Sequence, residues 1–555
     1  MQDEPEQVNL STLRTGKDAS RSTTQAFAQI LNYHERTKHR LKRYAAGPET
    51  LDWDAQPNPF REFAGAPRIR LPLVADSLTA SFAALHAPNS VAPQPLTLHS
   101  VAALLELSFA LSAWKEYGPD RWAVRCNPSS GNLHPTEAYV ICTQIPEIED
   151  GVYHYLSRDH LLEHRCRITP LTPATPSKLL LGLSSISWRE AWKYGERAFR
   201  YCQLDTGHAI GALRYAAATL GWHVHVANCS QQQISQWLGL DRDTDFTGAE
   251  REEAELLMEI TTGQSEVAVA LSPPFASAQI HWHGQANTLD PHPVYRWPVI
   301  DEVTLASRKP AAFQALAHAA ESWPLPRHGD EALNSYIKAA TLIRQRRSAQ
   351  RFDAKFTQDA AGFFHMLDAL LPRHAAPWDV WREPQHLHLV LFVHRVAGLA
   401  PGLYALPRSV AAQAQMQAAM RADFSWSKPA GCPGQLPLFL LAEASLGKAA
   451  KSLCCHQAIA ADSSFMLAML AEFDAPLKDA PWTYRQLYWE AGLLGQVLYL
   501  QAEAAGLRGT GIGCFFDDVC HELLGLRDTA FQSLYHFTVG HPLTDERIAN
   551  LPPYS

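Results

Sequence analysis

The sequence predicts a mixed α and β protein built from two similar domains. Helix-like and strand-like patterns interleave along the chain, and two segments, near positions 205 and 490, share one sequence pattern. The chain has 555 residues, of which 46% are hydrophobic, so it is long enough to bury more than one core. From these patterns alone, α+β and α/β arrangements both remain open.

An internal repeat defines the two domains. Residues 205–213 (DTGHAIGAL) resemble residues 490–498 (EAGLLGQVL), and both segments run on to a glycine, Gly221 or Gly506. The offset is constant, since 490 − 205, 492 − 207 and 506 − 221 all give 285. Several matches in the same order indicate a duplicated domain. Each copy is typical of a long buried helix that ends at a left-handed glycine.

Periodicity and composition predict the remaining organisation. Further helices are expected at 97–114, 358–371, 409–421 and 456–472, and strands at 138–143, 386–394 and 535–539. The chain then divides into a polar tail at 1–25, a first domain at 26–270, a Pro- and His-rich connector at 271–330, and a second domain at 331–555.

Charge and cysteine usage exclude several function classes. The net charge is 48 − 56 = −8, which argues against a nucleic-acid or anionic-membrane surface. The first twenty residues lack the apolar run of a signal peptide, and no apolar stretch is long enough to span a bilayer. Ten cysteines include no CxxC pair, so neither a disulfide framework nor a metal site is predicted. We therefore expect a cytoplasmic protein.

Three residues of the second domain suit an anionic ligand. Arg346, Arg347 and Ser348 follow a predicted helix, and two guanidinium groups beside a hydroxyl can bind a phosphate dianion through charge-assisted hydrogen bonds. A solvated basic helix end is the alternative interpretation.

A loop of the first domain has the composition of a ligand-binding loop. Pro128, Ser129, Ser130 and Asn132 surround a single glycine just before a predicted strand. Such a loop lets the backbone approach a flat ligand and offers N–H, hydroxyl and amide groups. An ordinary turn would have the same composition.

Two further patterns bear on chemistry. Residues 509–513 (GTGIG) predict a glycine-rich turn, but no strand precedes it and its third glycine is misplaced, which excludes a Rossmann site. Lys193 and Tyr194 form a candidate proton-transfer pair, since burial lowers the pKa of a lysine and a nearby cation lowers that of a tyrosine. Both residues would also suit a plain surface helix.

Together these segments resemble the nitroreductase superfamily of FMN flavoproteins, and especially its SagB-type dehydrogenase branch, the azoline oxidases of thiazole/oxazole-modified peptide biosynthesis. The resemblance covers most of both domains but not the connector. It rests on YHERTKH (33–39), NPSSGNLHPTEAYV (127–140), WKYGERAFRYCQLDTGHA (192–209), IRQRRSAQRF (343–352), GLYALPR (402–408) and GTGIGCFFDDVCHELLGL (509–526).

The resemblance implies an α+β fold in which helices wrap a mostly antiparallel sheet, in an intertwined dimer with FMN at the interface. It implies that one subunit supplies the arginines and the glycine-rich turn, while the other supplies the PSxxN loop and the residue heading the long helix. Here each domain keeps only one of these two sets. The chain is therefore expected to form an intramolecular pseudo-dimer, a monomer with one FMN site.

The resemblance also implies roles for individual residues. The cofactor-binding set is Arg346, Arg347, Ser348, Pro128, Ser129, Ser130, Asn132, Asp205, Gly511, Ile512, Gly513 and Arg547. Lys193 and Tyr194 would remove a proton as hydride leaves a small-molecule or modified-peptide substrate, in concert with partner biosynthetic enzymes. Two alternatives remain open at this point: an NAD(P)H-dependent nitro- or quinone-type reductase, and a flavin-free scaffold that binds a peptide or a partner enzyme.

Overall fold

The computed structural model describes residues 16–170, 177–263, 278–310, 322–324, 336–381 and 383–554, with side chains from residue 22 onward. Of the predicted tail and connector, residues 1–15, 271–277, 311–321 and 325–330 lie outside the described residues. Within the described part, no helix combines the length and the apolar character that a membrane crossing requires.

The helices are α1 (Gly16–Arg36), α2 (Leu98–Ser108), α3 (Ser187–Tyr194), α4 (Ala198–Thr219), α5 (Gln231–Leu238), α6 (Pro298–Ala306), α7 (Ala339–Gln345), α8 (Ala360–Asp368), α9 (Val410–Ala419), α10 (Gly447–Leu453), α11 (Ile459–Asp462), α12 (Asp474–Asp479), α13 (Thr483–Ala504) and α14 (Asp517–Leu524).

The strands are β1 (Phe63–Ala64), β2 (Arg68–Arg70), β3 (Leu111–Tyr117), β4 (Asp120–Arg125), β5 (Thr136–Thr143), β6 (Gly151–Leu156), β7 (Leu161–Pro170), β8 (Lys178–Ser185), β9 (His223–Val226), β10 (Glu253–Thr261), β11 (Ala278–Trp282), β12 (Gln285–Ala286), β13 (Leu387–Val393), β14 (Gly402–Leu406), β15 (Phe439–Glu443), β16 (Phe465–Glu472), β17 (Arg508–Ile512), β18 (Phe531–Gly540) and β19 (Ala549–Leu551).

Each half of the chain contains one large antiparallel sheet, and the two large sheets share a strand order. The first sheet runs β11-β7-β6-β5-β8-β10-β9, with β2 paired to β7, and the second runs β15-β14-β13-β16-β18-β17. The five strands β6-β5-β8-β10-β9 thus correspond in order to β14-β13-β16-β18-β17. This arrangement confirms the predicted α+β class with mostly antiparallel sheets.

Side-chain alternation along the strands builds the core. In β13, Leu389 and Leu391 pack into a core that both halves share, while Val390 and Phe392 pack into a separate cluster on the other face of the second sheet. Both faces of this sheet are therefore covered, which explains why its central strands are almost continuously apolar.

The long helices α4 and α13 pack against each other at the centre of the molecule. Gly207 and Gly492, which are 285 positions apart, meet at their crossing, since a Cβ on Gly207 would collide with the Trp489 carbonyl and the Gly492 Cα. Gly221 and Gly506, both with a φ of +69°, follow the helix ends, as the repeat predicts. The two predicted long helices are confirmed and form the interface between the halves.

Smaller elements near the end of the chain also pack against the first half. Strand β19, near the end of the chain, pairs with β3 of the first half, and β4 completes this third sheet. Tyr554 donates to the Ser157 carbonyl at 2.7 Å, and its hydroxyl accepts from the Leu111 amide at 2.9 Å. The second half of the chain therefore contacts the first half at β3 and after β6 as well as through α4 and α13.

Several predicted elements differ from the structure. Helix α1 begins within the predicted polar tail, and the described part of the connector contains β11, β12 and α6. The predicted helix at 97–114 ends at Ser108 and is followed by β3. The predicted helix at 456–472 is wrong: it is replaced by the short helix α11 and the buried strand β16.

Candidate active site

A cavity of about 360 Å³ lies between the two halves. The first half contributes Lys115, Trp122, Val124, Arg125, Asn127, Pro128, Ser129, Ser130, Gly131, Asn132, His134, Tyr194, Tyr201, Asp205 and His208. The second half contributes Arg346, Arg347, Ser348, Gln350, Gln457, Tyr499, Thr510, Gly511, Ile512, Gly513, Cys514 and Tyr535. Its volume falls in the range of about 300–1,000 Å³ that is usual for small-molecule sites.

The loop before β5 forms one wall, and Asp205 holds it in place. The Asp205 Oδ1 atom accepts from the Ser130 amide at 2.9 Å and from the Ser130 hydroxyl at 2.8 Å. The Ser129 hydroxyl accepts from the His134 amide at 2.8 Å. Gly131 has a φ of +59° and lies against the Tyr194 hydroxyl, where a Cβ would not fit. The loop is therefore a fixed structure and not an ordinary mobile turn.

Asp205 does not head its helix as expected but lies in the second turn of α4. Burial raises the pKa of its carboxyl to about 7, against the lowering effect of hydrogen bonds from Ser129 and Ser130. Near neutral pH the Asp205 carboxyl is therefore partly protonated and partly ionised. It accepts hydrogen bonds from the loop that forms the cavity wall, so it helps to determine the shape of that wall.

A cationic corner lies at one end of the cavity. Arg346 is buried and donates to the carbonyls of Arg125 and Cys126 at 2.9 and 3.1 Å, and Arg347 donates to the Ser112 carbonyl at 3.0 Å. Lys115 lines the same corner. Burial lowers the pKa of Arg347 to about 10 and also lowers the pKa of Lys115, with neighbouring cations adding to both shifts.

None of these three cations has a carboxylate within ion-pair distance among the described residues. The ion pairs among the described residues include none from Lys115, Arg346 or Arg347. The Glu503 carboxylate acts against the lowering of the pKa of Arg346 and Arg347, but it pairs directly with neither. Three partly or fully buried positive charges without a directly paired carboxylate suit a multiply charged anion. The interpretation of residues 346–348 as a solvated basic helix end is therefore wrong for Arg346.

The glycine-rich segment forms another wall. It is not the predicted turn: residues 508–512 form β17, which pairs with β18. A Cβ on Gly511 would collide with the Tyr535 hydroxyl, and a Cβ on Gly513 with the Tyr201 ring. Ile512, between them, is buried. The absence of side chains at Gly511 and Gly513 leaves backbone exposed to the cavity, which suits close contact with a flat ligand.

Tyrosines link the walls of the cavity. The Tyr499 hydroxyl lies 2.9 Å from the Ser348 hydroxyl and accepts from the Gly511 amide at 3.1 Å. The Tyr535 hydroxyl lies 3.1 Å from the His208 Nε2 atom. These contacts join α13, α4 and β18 around one space, so the geometry of the cavity depends on both halves of the chain.

The predicted proton-transfer pair lies at the rim. Tyr194 lines the cavity, and its ring centroid is 4.5 Å from that of Tyr201. Lys193 is not in the lining; its Nζ atom lies 5.5 Å from the Tyr194 ring centroid and 5.2 Å from that of Trp53. Burial lowers the pKa of Lys193, as expected. The expectation for Tyr194 is wrong, because burial and then Glu190 raise its pKa.

The structure separates Arg547 from the other predicted site residues. Its side chain is 70% exposed and pairs with Asp545 at 2.6 Å, and it does not line the cavity. A carboxylate two positions away in sequence therefore neutralises it, and Lys115 takes the third position in the cationic corner. Sequence reasoning also missed Tyr201, His208, Tyr499 and Tyr535, which carry no recognisable local motif.

Several buried polar atoms around the cavity lack a protein partner. They are the Arg125 Nε, the Arg346 Nε, the Asn127 Oδ1, the His134 Nδ1 and the His208 Nδ1. Buried polar groups are nearly always hydrogen-bonded in native proteins, so five such atoms in residues that line one cavity indicate that it is shaped to bind a polar ligand.

The repeat relates Asp205 at this cavity to Glu490, 285 positions later, and side chains fill the space beside Glu490. Glu490 corresponds to Asp205, since 490 − 205 = 285, and it accepts from the His386 amide at 2.8 Å. Unlike Asp205, Glu490 forms a buried ion pair with Arg408. The rings of Trp381 and Trp489 stack beside it with centroids 6.5 Å apart. Among the described residues, the space left there is about 20 Å³.

Comparison with known proteins bears on the fold. Residues 343–541 match the family model described as Nitroreductase family. A provisionally named nitroreductase of Methanocaldococcus jannaschii is 25% identical over 137 residues, or 23% of this chain. The chain spans 66% of that relative, just under two thirds of its length.

A solved structure covers both halves. The crystal structure of a provisionally named nitroreductase from Anabaena variabilis aligns with 93% of this chain and 99% of its own, with a TM-score of 0.65 and 20% identity. At this identity the likeness shows the fold alone. It confirms that the whole described chain has a nitroreductase-like fold, as the sequence predicts.

Proposed function

We propose that this protein is an FMN-dependent oxidoreductase that dehydrogenates a peptide-derived or other natural-product intermediate at one composite site. The observation that carries the proposal is the joint cavity. The loop held by Asp205 comes from the first half, the cations of residues 346 and 347 come from the second half, and both line one space.

The chemistry of the donor set fits FMN. A phosphate dianion suits the corner formed by Lys115, Arg346 and Arg347, because these cations have no carboxylate partner and Arg346 retains a buried, unpartnered Nε atom. The exposed backbone at Gly511 and Gly513 suits the edge of a flat ring system. The unpartnered Asn127 Oδ1 and His208 Nδ1 atoms supply further polar contacts.

Bound FMN supplies the hydride acceptor for the reaction. The protein then has to remove a proton from the substrate. We assign this role to the Nζ atom of Lys193, because burial lowers its pKa and so raises the fraction of neutral amine. Tyr194 stays protonated, because its pKa is raised, and its hydroxyl at the cavity wall donates a hydrogen bond that orients the substrate.

The arrangement of the halves supports a single site. The shared strand order is what a tandem duplication would leave, and it makes the monomer an internal pseudo-dimer. One of the two related positions retains a cavity, while Trp381, Trp489 and the Glu490–Arg408 pair occupy the other. The SagB-type assignment, the modified-peptide substrate, the partner enzymes and the cytoplasmic location rest on the sequence motifs.

Flavin stoichiometry tests the proposal. Purified protein should be yellow, should release FMN on heating, and should contain one FMN per 555-residue chain by absorbance against protein concentration. Two tightly bound FMN molecules per chain would contradict the single composite site. Failure to bind added FMN at all would leave the flavin-free scaffold as the better interpretation.

A further inference from the structure

Two cysteines meet at the edge of the cavity. Cys514 lines the cavity directly after Gly513, and its thiol is hydrogen-bonded to that of Cys455, in the turn after α10. Both residues are partly exposed, and both are reduced in this structure. Cys455 has a φ of +50°, a conformation that is uncommon for a residue with a side chain.

Contacts between two chain segments keep Cys455 and Cys514 close together. The Phe516 backbone amide donates to the Leu453 carbonyl at 2.9 Å, and the side-chain amide of Gln457 donates to the Cys514 carbonyl at 3.3 Å. The segments 453–457 and 514–516 therefore lie side by side, with Cys455 in the first and Cys514 in the second.

Neighbouring groups favour ionisation of one thiol of the pair. The hydrogen bond from Cys455 lowers the pKa of Cys514 to about 5, against the raising effect of burial, and His39 and Arg197 lower it further. The His39 Nδ1 atom accepts from the Ala45 amide at 2.9 Å, which leaves the Nε2 atom to donate to Cys514. The pKa of Cys455 is raised, first by its hydrogen bond to Cys514.

No other cysteine has this environment. All ten cysteines lie among the described residues, and the pKa of every one except Cys514 is raised. For eight of them burial is the leading cause: Cys126, Cys142, Cys166, Cys202, Cys229, Cys432, Cys454 and Cys520. Further titratable groups near the pair are Tyr44 and Cys454 beside Cys455, and Tyr194, Tyr201 and Cys454 beside Cys514.

We propose that Cys514 and Cys455 form a redox-active dithiol that a low-molecular-weight disulfide oxidises to an intramolecular disulfide. The Cys514 thiolate attacks one sulfur of the small disulfide, forms a mixed disulfide and expels one thiolate. Cys455 then gives its proton to the released thiolate and attacks the Cys514 Sγ, which expels the second thiolate, and solvent protonates that thiolate. Two electrons pass from the dithiol to the small disulfide, which leaves as two thiols. No step uses flavin, so the inference does not depend on the proposed function.

Oxidised glutathione is a suitable probe for the full-length protein. Reduced protein is incubated with it at pH 6, alkylated, and mapped by mass spectrometry without reduction. The wild-type protein should give a cross-linked peptide that joins Cys455 to Cys514. Cys455→Ser should accumulate a single glutathione adduct on Cys514, because the resolving thiol is gone, and Cys514→Ser should leave Cys455 unmodified over the same time.

Cys432, another partly exposed cysteine, provides the matched control. The lowered pKa of Cys514 gives it a larger thiolate fraction at pH 6 than an ordinary thiol has, and the lower nucleophilicity of a low-pKa thiolate offsets only part of this difference. Adducts should form on Cys514 on the order of tenfold faster than on Cys432. Cys432→Ser should still form the cross-link. A wild-type protein that keeps only a mixed disulfide, or equal rates at Cys514 and Cys432, would overturn the inference.

Discussion

Arg200 in the first half and Asp517 in the second half form a buried ion pair, with the Arg200 Nη1 atom 2.8 Å from the Asp517 Oδ1 atom. The counterpart of Arg200 in the repeat is Arg485, since 485 − 200 = 285, and it pairs with Glu255 of the first half at 2.7 Å. In the first pair the arginine belongs to the first half and the carboxylate to the second half, and in the second pair this assignment is reversed. The repeat has therefore kept a buried ion pair on each side of the interface.

We expect Arg200→Ala to reduce the free energy of unfolding without removing FMN. Burial opposes ionisation of Asp517, but Arg197 and Arg200 outweigh it and lower its pKa, so the variant leaves a buried carboxylate with one cation fewer. The cost should be about 3–5 kcal/mol in urea unfolding. A carboxyl whose pKa is lowered by folding stabilises the fold fully only above its pKa in the unfolded state, about 3.9. The difference in the free energy of unfolding between the wild type and the variant should therefore shrink as the pH falls below about 4.

Arg347→Ala should weaken FMN binding by about 2–3 kcal/mol, or roughly 30- to 150-fold, because the phosphate loses a charge-assisted, bidentate partner. Arg351→Ala is the matched control, since Arg351 belongs to the same basic segment but is exposed and outside the cavity lining. Fluorescence titration with FMN measures both variants. Full FMN occupancy of Arg347→Ala after extensive dialysis would exclude this residue from the phosphate site.

Gly513→Ala should also reduce FMN affinity, because the added methyl group has no room beside the cavity. The new methyl group collides with the Tyr201 ring, and either the ring or β17 has to move into the cavity. Overpacking of this size costs about 1–3 kcal/mol, which corresponds to roughly 5- to 150-fold in affinity. Gly434→Ala has open space around its Cβ and should bind FMN normally. Equal affinities would show that this wall does not contact the ligand.

The Lys193→Ala and Tyr194→Phe double variant should bind FMN but reduce it slowly with substrate. General-base assistance contributes about 10²–10⁴-fold, and neither residue belongs to the cationic corner. Reduction of the flavin by NAD(P)H requires no base, because a nicotinamide loses hydride without losing a proton. Stopped-flow absorbance separates the two reactions. Near-normal turnover of the double variant would reject the dehydrogenase mechanism and favour the reductase.

Asp205→Asn should change how stability depends on pH. The folded pKa of about 7 lies above the unfolded value of about 3.9, so the folded state binds more protons between these values. The wild-type free energy of unfolding should therefore fall with rising pH in this window, by up to about 1.4 kcal/mol per pH unit relative to the variant, and level off above pH 7. Urea unfolding at pH 5 and pH 8 measures this; parallel pH profiles would contradict the shifted pKa.

Motifs with local signals predicted segments that the structure brings together. The repeat identified α4 and α13, and residues 128–132, 346–348 and 511–513 do line one cavity. Lys115 had no such signal, because it is a single lysine on β3, more than 200 positions before Arg346. Its role depends on the packing of β3 against the second half, which no pattern in either segment encodes.

The wrong predictions for β16, residues 509–513 and Arg547 also have physical causes that the local sequence pattern did not reveal. The apolar run of β16, FMLAMLAE, is buried on both faces and so has no clear alternation, which made it resemble a buried helix. The glycines of residues 509–513 disfavour a strand in isolation, yet pairing with β18 imposes one. The family resemblance placed Arg547 in the cofactor-binding set, but in the structure Asp545 forms an ion pair with it.

The pairing of β19 with β3 has a consequence for how the protein behaves on dilution. In an enzyme whose site is shared between separate subunits, the fraction of complete sites falls when the concentration drops below the dissociation constant. Here the contributing segments belong to one molecule, so their encounter is unimolecular and their effective concentration is set by the intervening chain. Both sets of residues that line the cavity belong to one chain, so the thermal unfolding midpoint should not vary with protein concentration.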